Sequence, residues 1–253
     1  SAQYNTYDYQ EGDGVLKKGE AYSIWQKSSD LEMNAVFSYN QAFGYHFVNA
    51  VVGANMQESR YENESYSVIG FPAGNMDYIS FGNAYKDQVP SGEEGVSRLA
   101  GAFLNVNYSY NNIYMLDFSG RLDGSSKFGK NNRYGNFPSA SVGWNIAEEE
   151  FMNNLSWLDQ LKIRGGYGVL GNQEIDNYQY SSTITTGINY PDGNGGLIQG
   201  AFPKDFANPD IKWESTAMTN VGIDFVAFNN RLNITADWYV KNTKDILLTV
   251  PIP

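Results

Sequence analysis

Arg231-Leu232-Asn233-Ile234-Thr235-Ala236-Asp237-Trp238-Tyr239-Val240 is the stretch that decides the fold. Its even positions, Leu232, Ile234, Ala236, Trp238 and Val240, are apolar; Arg231, Asn233, Thr235, Asp237 and Tyr239 stand between them. Side chains on a strand point alternately to opposite faces, so period two marks a strand with two unlike environments. Working outward, 137–146 sets Pro138, Ala140, Val142, Trp144 and Ile146 against Ser139, Ser141, Gly143 and Asn145. In 113–123, Tyr114, Leu116, Phe118 and Leu122 oppose Asp117, Ser119, Arg121 and Asp123. In 99–110, Ala100, Ala102, Leu104, Val106, Tyr108 and Tyr110 oppose Gly101, Asn105 and Asn107, with Phe103 as an exception. In 45–57 the even positions from His46 to Met56 are mostly apolar, although Phe47 and Val51 break the pattern. Segments 31–41, 160–170 and 213–227 alternate with odd positions apolar. Eight strands result, with 15–27 as a candidate ninth.

The chemistry of the polar face separates two kinds of sheet. A soluble sandwich usually shows Lys and Glu to water; here the polar positions are Asn, Ser, Gly and Thr. An apolar face beside a weakly charged polar face is the pattern of an outer-membrane strand, with lipid on one side and a wet lumen on the other. Composition agrees: 18% of the 253 residues are charged, against about 25% in ordinary domains. There are 19 Tyr, 26 Gly and 28 Asn, which suit strands, turns and the boundary between hydrocarbon and water. The 17 Lys and Arg against 28 Asp and Glu give a net charge of −11, unsuited to nucleic acid. The absence of Cys removes disulfide frameworks and thiolate chemistry, and the single His leaves a multi-histidine metal site without ligands. No apolar run reaches the roughly 18 residues of a spanning helix, and Ser1 to Asn5 do not read as a signal peptide.

Connections alternate in length. Ala42-Phe43-Gly44, Tyr110-Asn111-Asn112 and Phe228-Asn229-Asn230 are tight turns, and 147–159 is expected to hold one helical turn around Glu148, Glu149 and Glu150. Between them lie 58–96, 124–136 and 171–212, long and rich in Gly, Pro, Asn and Tyr. An outer-membrane barrel is strung in this way, with tight periplasmic turns and long extracellular loops. Tyr39, Tyr45, Tyr108, Tyr110, Tyr114, Trp144, Phe225 and Phe228 gather at the tight-turn ends, where an aromatic girdle belongs. The expected fold class is all-β: a partial antiparallel transmembrane β-barrel of about eight or nine strands, an open sheet with long extracellular loops. Residues 1–14, polar and rich in Gly and Asp, are expected to supply no closing strand; nor is 246–253, which Pro251 and Pro253 interrupt.

Several motifs in order resemble one family. They are Arg121-Leu122-Asp123-Gly124-Ser125-Ser126-Lys127-Phe128-Gly129, then Arg133-Tyr134-Gly135-Asn136-Phe137-Pro138-Ser139-Ala140-Ser141-Val142-Gly143-Trp144. Leu161-Lys162-Ile163-Arg164-Gly165-Gly166-Tyr167-Gly168, Gly171-Asn172-Gln173, Asn208-Pro209-Asp210-Ile211-Lys212-Trp213-Glu214 and Asn233-Ile234-Thr235-Ala236-Asp237-Trp238-Tyr239 follow. Over about residues 31–253 they resemble the barrel of SusC/RagA-type TonB-dependent outer-membrane transporters. The resemblance implies import of glycans, oligosaccharides or peptides across the outer membrane, with a SusD-like surface lipoprotein as partner. It also implies an N-terminal plug and a TonB box, neither of which is found in 1–253. The expectation is therefore a barrel fragment that meets TonB only through the missing N-terminal part and touches outer-membrane lipid directly. Such barrels have about 22 strands.

Nothing in the chain is expected to catalyse a reaction or to hold a cofactor or metal. Gly166-Tyr167-Gly168-Val169-Leu170-Gly171 fits a dinucleotide fingerprint, but Asn172-Gln173-Glu174 after it reads as loop and not helix. His46 has no Ser/Asp partner pattern, Glu148 to Glu150 read as a solvated turn, and Asp192-Gly193-Asn194 lacks the spaced carboxylates of a calcium loop. The candidate ligand-binding residues are loop aromatics: Tyr66, Phe71, Tyr78, Phe81 and Tyr85 in 58–96, and Tyr178, Tyr180, Tyr190, Phe202 and Phe206 in 171–212. Flat rings stack on sugars while polar neighbours bond hydroxyls; the same rings could equally pack the loops together or against a lipoprotein. A soluble carbohydrate-binding β-sandwich and a self-contained small outer-membrane barrel remain the alternative readings.

Overall fold

The computed structural model describes residues 2–10, 16–71, 78–86, 90–182, 184–193, 196–203 and 207–248. The strands are β1 (Ala2–Gln10), β2 (Leu16–Phe43), β3 (His46–Ile69), β4 (Ala84–Tyr85), β5 (Ser91–Tyr110), β6 (Tyr114–Ser125), β7 (Tyr134–Asn145), β8 (Leu158–Asn172), β9 (Ile184–Pro191), β10 (Leu197–Pro203), β11 (Glu214–Ala227) and β12 (Leu232–Lys244). The main sheet runs β1-β2-β3-β5-β6-β7-β8-β11-β12, with β4 beside β3, while β9 and β10 form a separate hairpin. Neighbours in sequence pair antiparallel, as the registers of β5 with β6, β6 with β7 and β11 with β12 show. Among the described residues no ladder joins β12 to β1, so the sheet is open and is not a self-contained barrel.

The chain divides into two units, one of 1–31 and 58–97, the other of 32–57 and 98–253. The first has a small core of Ala21, Val68 and Phe71, with Ile79 against it. Its strands carry exposed ion pairs, Lys86 with Glu20 at 2.8 Å and Lys27 with Glu62 at 3.8 Å.

The second unit is the two-faced wall. Register carries Tyr108 to Leu116, Val142, Gly165, Val221 and Trp238 in one row across six strands. One residue along, Asn107, Asp117, Ser141, Gly166, Asn220 and Tyr239 form the adjoining row, facing the other way. The apolar face is not a protein core, for Leu104, Leu116, Phe118, Val142 and Ile234 are 41% to 57% exposed. A sheet that shows such a band to its surroundings needs an apolar solvent, which a bilayer supplies and water does not.

Tight turns share one rim. Asn111 N donates to Tyr45 O at 2.7 Å, Asn145 N to Ile113 O at 2.7 Å, and Phe228 N to Trp157 O at 2.8 Å. Gly44, Asn111, Asn112, Asn229 and Asn230 take positive φ there, as primed hairpin turns require. The expected helical turn is two short 3₁₀ turns, Ile146–Glu148 and Glu150–Met152.

Two expectations need correction, on the break within β2 and on the long connections. Segments 15–27 and 31–41 are one strand, β2, and the chain does not break at Ser28-Ser29-Asp30. Residues 2–10 form β1, which pairs with β2 from Ala2↔Ser23 to Gln10↔Leu16 and is the first edge, so among the described residues no closing strand comes from there, as expected. The long connections 58–96 and 171–212 are strand in part: β3 continues to Ile69, β5 begins at Ser91, and β9 and β10 form a hairpin. A spanning strand needs only about 9–11 residues, and β2 and β3 have 28 and 24. Where neither face meets hydrocarbon, alternation carries no information.

Candidate functional site

The polar face of the second unit is built from strand positions whose partners lie directly across the ladder. Asp117 on β6 accepts from Asn107 on β5 and from Ser141 Oγ on β7 at 2.9 Å, so one carboxylate ties three strands. Towards the long-loop end, Arg121 Nε donates to Asp123 Oδ2 at 2.6 Å and its Nη2 to Asn55 Oδ1 at 2.7 Å. The guanidinium carbon lies 5.8 Å from the Phe103 ring centroid, within cation–π range. Towards the tight turns, Arg164 Nε donates to Asp224 Oδ2 at 3.1 Å, and Arg164 Nη2 reaches Asp237 Oδ1 at 2.7 Å. Thr235 Oγ1 donates to the other Asp224 oxygen at 3.1 Å. Arg121 and Arg164 thus form ion pairs spread along the wall, and Asp117 is held by neutral partners.

The GxGxxG glycines lie inside β8, a strand, so the dinucleotide context fails. Gly166 instead makes room for its neighbours, as a Cβ there would stand 2.9 Å from Asn220 Oδ1 and 3.2 Å from Ser141 Cβ.

At the tight-turn rim the girdle is a chain of rings. Phe43 stacks on His46 at 5.8 Å, His46 meets Tyr110 at 5.0 Å, Tyr110 stacks on Tyr114 at 6.4 Å, and Tyr114 on Trp144 at 6.5 Å. His46 Nδ1 is 2.8 Å from the Tyr108 hydroxyl, which places the only histidine in this belt and away from any triad. Glu149, in the turn beyond β7, accepts from the Tyr114 hydroxyl at 2.7 Å and the Trp144 indole N–H at 2.9 Å. Those two donors, the tyrosine first, hold its carboxyl below the usual glutamate range.

At the opposite rim, 124–136 and 171–213 interlock. Phe128 is fully buried against Trp213, with centroids 5.0 Å apart, and Phe137 meets Trp213 edge-on at 5.4 Å. Trp213 Nε1 donates to Arg133 O at 3.1 Å, Lys127 Nζ to Ile175 O at 2.8 Å, and Asn132 Nδ2 to Asp210 O at 3.1 Å.

The expected ligand aromatics lie in separate places. In the first unit, Tyr66 meets Tyr85 edge-on at 6.1 Å and Tyr78 meets Phe81 at 6.2 Å, while Phe71 is only 2% exposed and belongs to the small core. In the second unit, Tyr178 takes positive φ and Tyr180 lies beside Gly129. Tyr190 pairs with Ile198, and Phe202 with Thr185, within the β9–β10 hairpin. Phe206 lies outside the described residues. Asp192 closes the hairpin turn by accepting from Gly196 N at 2.7 Å. Sequence reasoning did not single out Arg121, Arg164, Phe128 or Trp213 as site residues. The available signal was an arginine on the polar parity of a strand in a chain with few cations.

A family model described as "TonB dependent receptor-like, beta-barrel" matches residues 1–253. A TonB-dependent receptor of Formosa agariphila is 36% identical over 228 residues, covering 88% of this chain and 21% of that relative. TonB-dependent receptor SusC of Bacteroides thetaiotaomicron is 40% identical over 159 residues, 61% of this chain and 16% of SusC. Among solved structures, one described as the RagAB peptide transporter superposes with a TM-score of 0.82 at 28% identity, over 93% of this chain and 26% of that one. The chain thus spans about a fifth of the length of the relatives it matches. By name these relatives are receptors and transporters, not enzymes.

Proposed function

The chain belongs to the TonB-dependent receptor-like β-barrel family, and from that premise we propose that it forms part of the wall of a SusC-like importer. Its place is the outer membrane. The observation that carries the reading is the two-faced wall: half-exposed Leu104, Leu116, Phe118, Val142 and Ile234 on one side, and on the other the ion pairs of Arg121 and Arg164, and Asp117 held by neutral partners. A bilayer-spanning sheet whose inner face is wet and weakly charged is a passage for polar solutes. We read 1–253 as barrel only, with plug and TonB contact supplied by sequence outside it. The cargo is a glycan, oligosaccharide or peptide delivered with a SusD-like lipoprotein; the likeness to a peptide transporter and the ring-rich loop segments support these classes. Tyr66, Tyr78, Phe81, Tyr85, Tyr178, Tyr180, Tyr190, Phe202 and Phe206 remain the proposed source of ligand contacts; Phe71, buried in the small core, does not.

Deleting the full-length gene and following fluorescent oligosaccharide and peptide pools into cells tests this. Uptake of one class should vanish, return on complementation, and stop when a protonophore collapses the inner-membrane gradient. Unchanged uptake of both pools, or uptake indifferent to the protonophore, contradicts it.

A further inference from the structure

The apolar face is not uniformly filled. In the row Val142–Gly165–Val221, the central residue has no side chain, and the nearest atom to a Cβ built there is the Asn220 carbonyl oxygen at 3.8 Å. The result is a depression of about 440 Å³ over Gly165, walled by Leu116, Val142, Ile163, Val221 and the rings of Tyr114 and Trp144. That volume lies within the roughly 300–1,000 Å³ of ligand sites, and the walls are almost wholly apolar. Two of its walls are girdle rings, for Tyr114 and Trp144 stack with 11° between their planes and both donate to the same oxygen, Glu149 Oε1. Glu149 Oε2 accepts no hydrogen bond among the described residues. Glu148 and Glu150 flank it in sequence.

We propose that this depression seats one phospholipid, with an acyl chain over Gly165 and a primary ammonium headgroup at Glu149 Oε2. On a bilayer-facing surface the linear apolar occupant is an acyl chain. The Glu149 carboxylate disfavours an anionic headgroup and accepts a charge-assisted hydrogen bond from an ammonium. The seat therefore selects phosphatidylethanolamine over phosphatidylglycerol. It concerns the membrane around the wall, and it stands or falls independently of cargo.

The test uses the full-length protein in nanodiscs doped with brominated phosphatidylethanolamine or brominated phosphatidylglycerol at equal mole fraction. Quenching of Trp144 is read against Trp144→Phe. Trp238, on the same face in β12, is read against Trp238→Phe and reports ordinary annular lipid. At Trp144, the ethanolamine lipid should quench at about one-third the concentration the glycerol lipid needs, the size of one exposed ion pair; at Trp238 the two should match. Gly165→Leu should abolish the excess at Trp144, and Glu149→Gln should level the headgroup preference while leaving the quenching. Should Gly165→Leu fail to assemble, the wild type and Glu149→Gln decide alone. Equal quenching of Trp144 by both lipids in the wild type, or a preference that survives Glu149→Gln, overturns the proposal.

Discussion

Arg164 on β8 pairs with Asp237 on β12 at 2.7 Å by reaching over Gly222 of β11, the strand between them. A Cβ at Gly222 would stand 2.5 Å from Asp237 Oδ1 and 2.6 Å from Arg164 Cζ, so a side chain there would push both flexible ends aside and displace the bridge. Gly222→Val should displace the bridge and lower the unfolding free energy of the full-length barrel by up to about 1 kcal/mol, the scale of an exposed ion pair. Arg164→Ala in the same background should recover part of it. Denaturant titrations of both variants check this; an unaltered Gly222→Val midpoint contradicts it.

Facing gives a second test. Leu104 and Ile234 lie on the apolar face, Ser141 on the polar one. Leu104→Arg or Ile234→Arg should cost about 2–4 kcal/mol near the membrane midplane, whereas Ser141→Arg should be much milder. Folding yields into bilayers measure the difference, and equal yields would reverse the assignment.

Trp213 joins the two long connections of the second unit through Phe128, Phe137 and the Arg133 carbonyl. Trp213→Ala removes those contacts and should cost about 3–5 kcal/mol of local stability. Faster hydrogen exchange at Ser125 and across 124–136, with strand amides near Leu116 unchanged, is the expected signature. Unchanged exchange at Ser125 would show that the loops hold without the clasp.

The Glu149 contact has a pH sign. Its carboxyl is lowered on folding, chiefly by the Tyr114 hydroxyl and then by the Trp144 indole. A group lowered in this way adds stability above its unfolded pKa and loses it as pH falls through the folded value. The contact should thus hold at neutral pH and release only in acid, below the usual glutamate range. Trp144 emission against pH should show that step and lose it in Glu149→Gln; a step near neutrality contradicts the assignment.

What was legible in the sequence follows from where the two faces differ. Along 231–240 and 137–146 one side meets lipid and the other water, so period two located β12 and β7 to within a few residues. Along Glu58-Ser59-Arg60-Tyr61-Glu62-Asn63-Glu64-Ser65 no apolar face exists, and the far half of β3 read as loop although its ladder continues. The hairpin β9–β10 was missed although Ile184, Thr186, Ile188 and Tyr190 alternate with Thr185, Gly187 and Asn189, because the short run sits inside a long connection rich in Gly, Pro and Asn. The paired turns at Asn111-Asn112 and Asn229-Asn230 were readable because asparagine tolerates positive φ. The Arg164–Asp237 bridge was not: it needs the register of three strands and the gap at Gly222, which no local pattern encodes.

The central claim is that one face of this wall meets hydrocarbon and the other water. Since 1–253 contains no cysteine, single cysteines at 115–119 on β6 and 232–237 on β12 can be spin-labelled in the full-length protein in bilayers. Relaxation by oxygen and by a water-soluble nickel chelate should alternate in antiphase with period two. Oxygen should dominate at Leu116, Phe118, Ile234 and Ala236, and nickel at Asp117, Ser119, Thr235 and Asp237. Nickel access at every position, with no alternation, would describe a sheet bathed in water on both sides and would contradict the account.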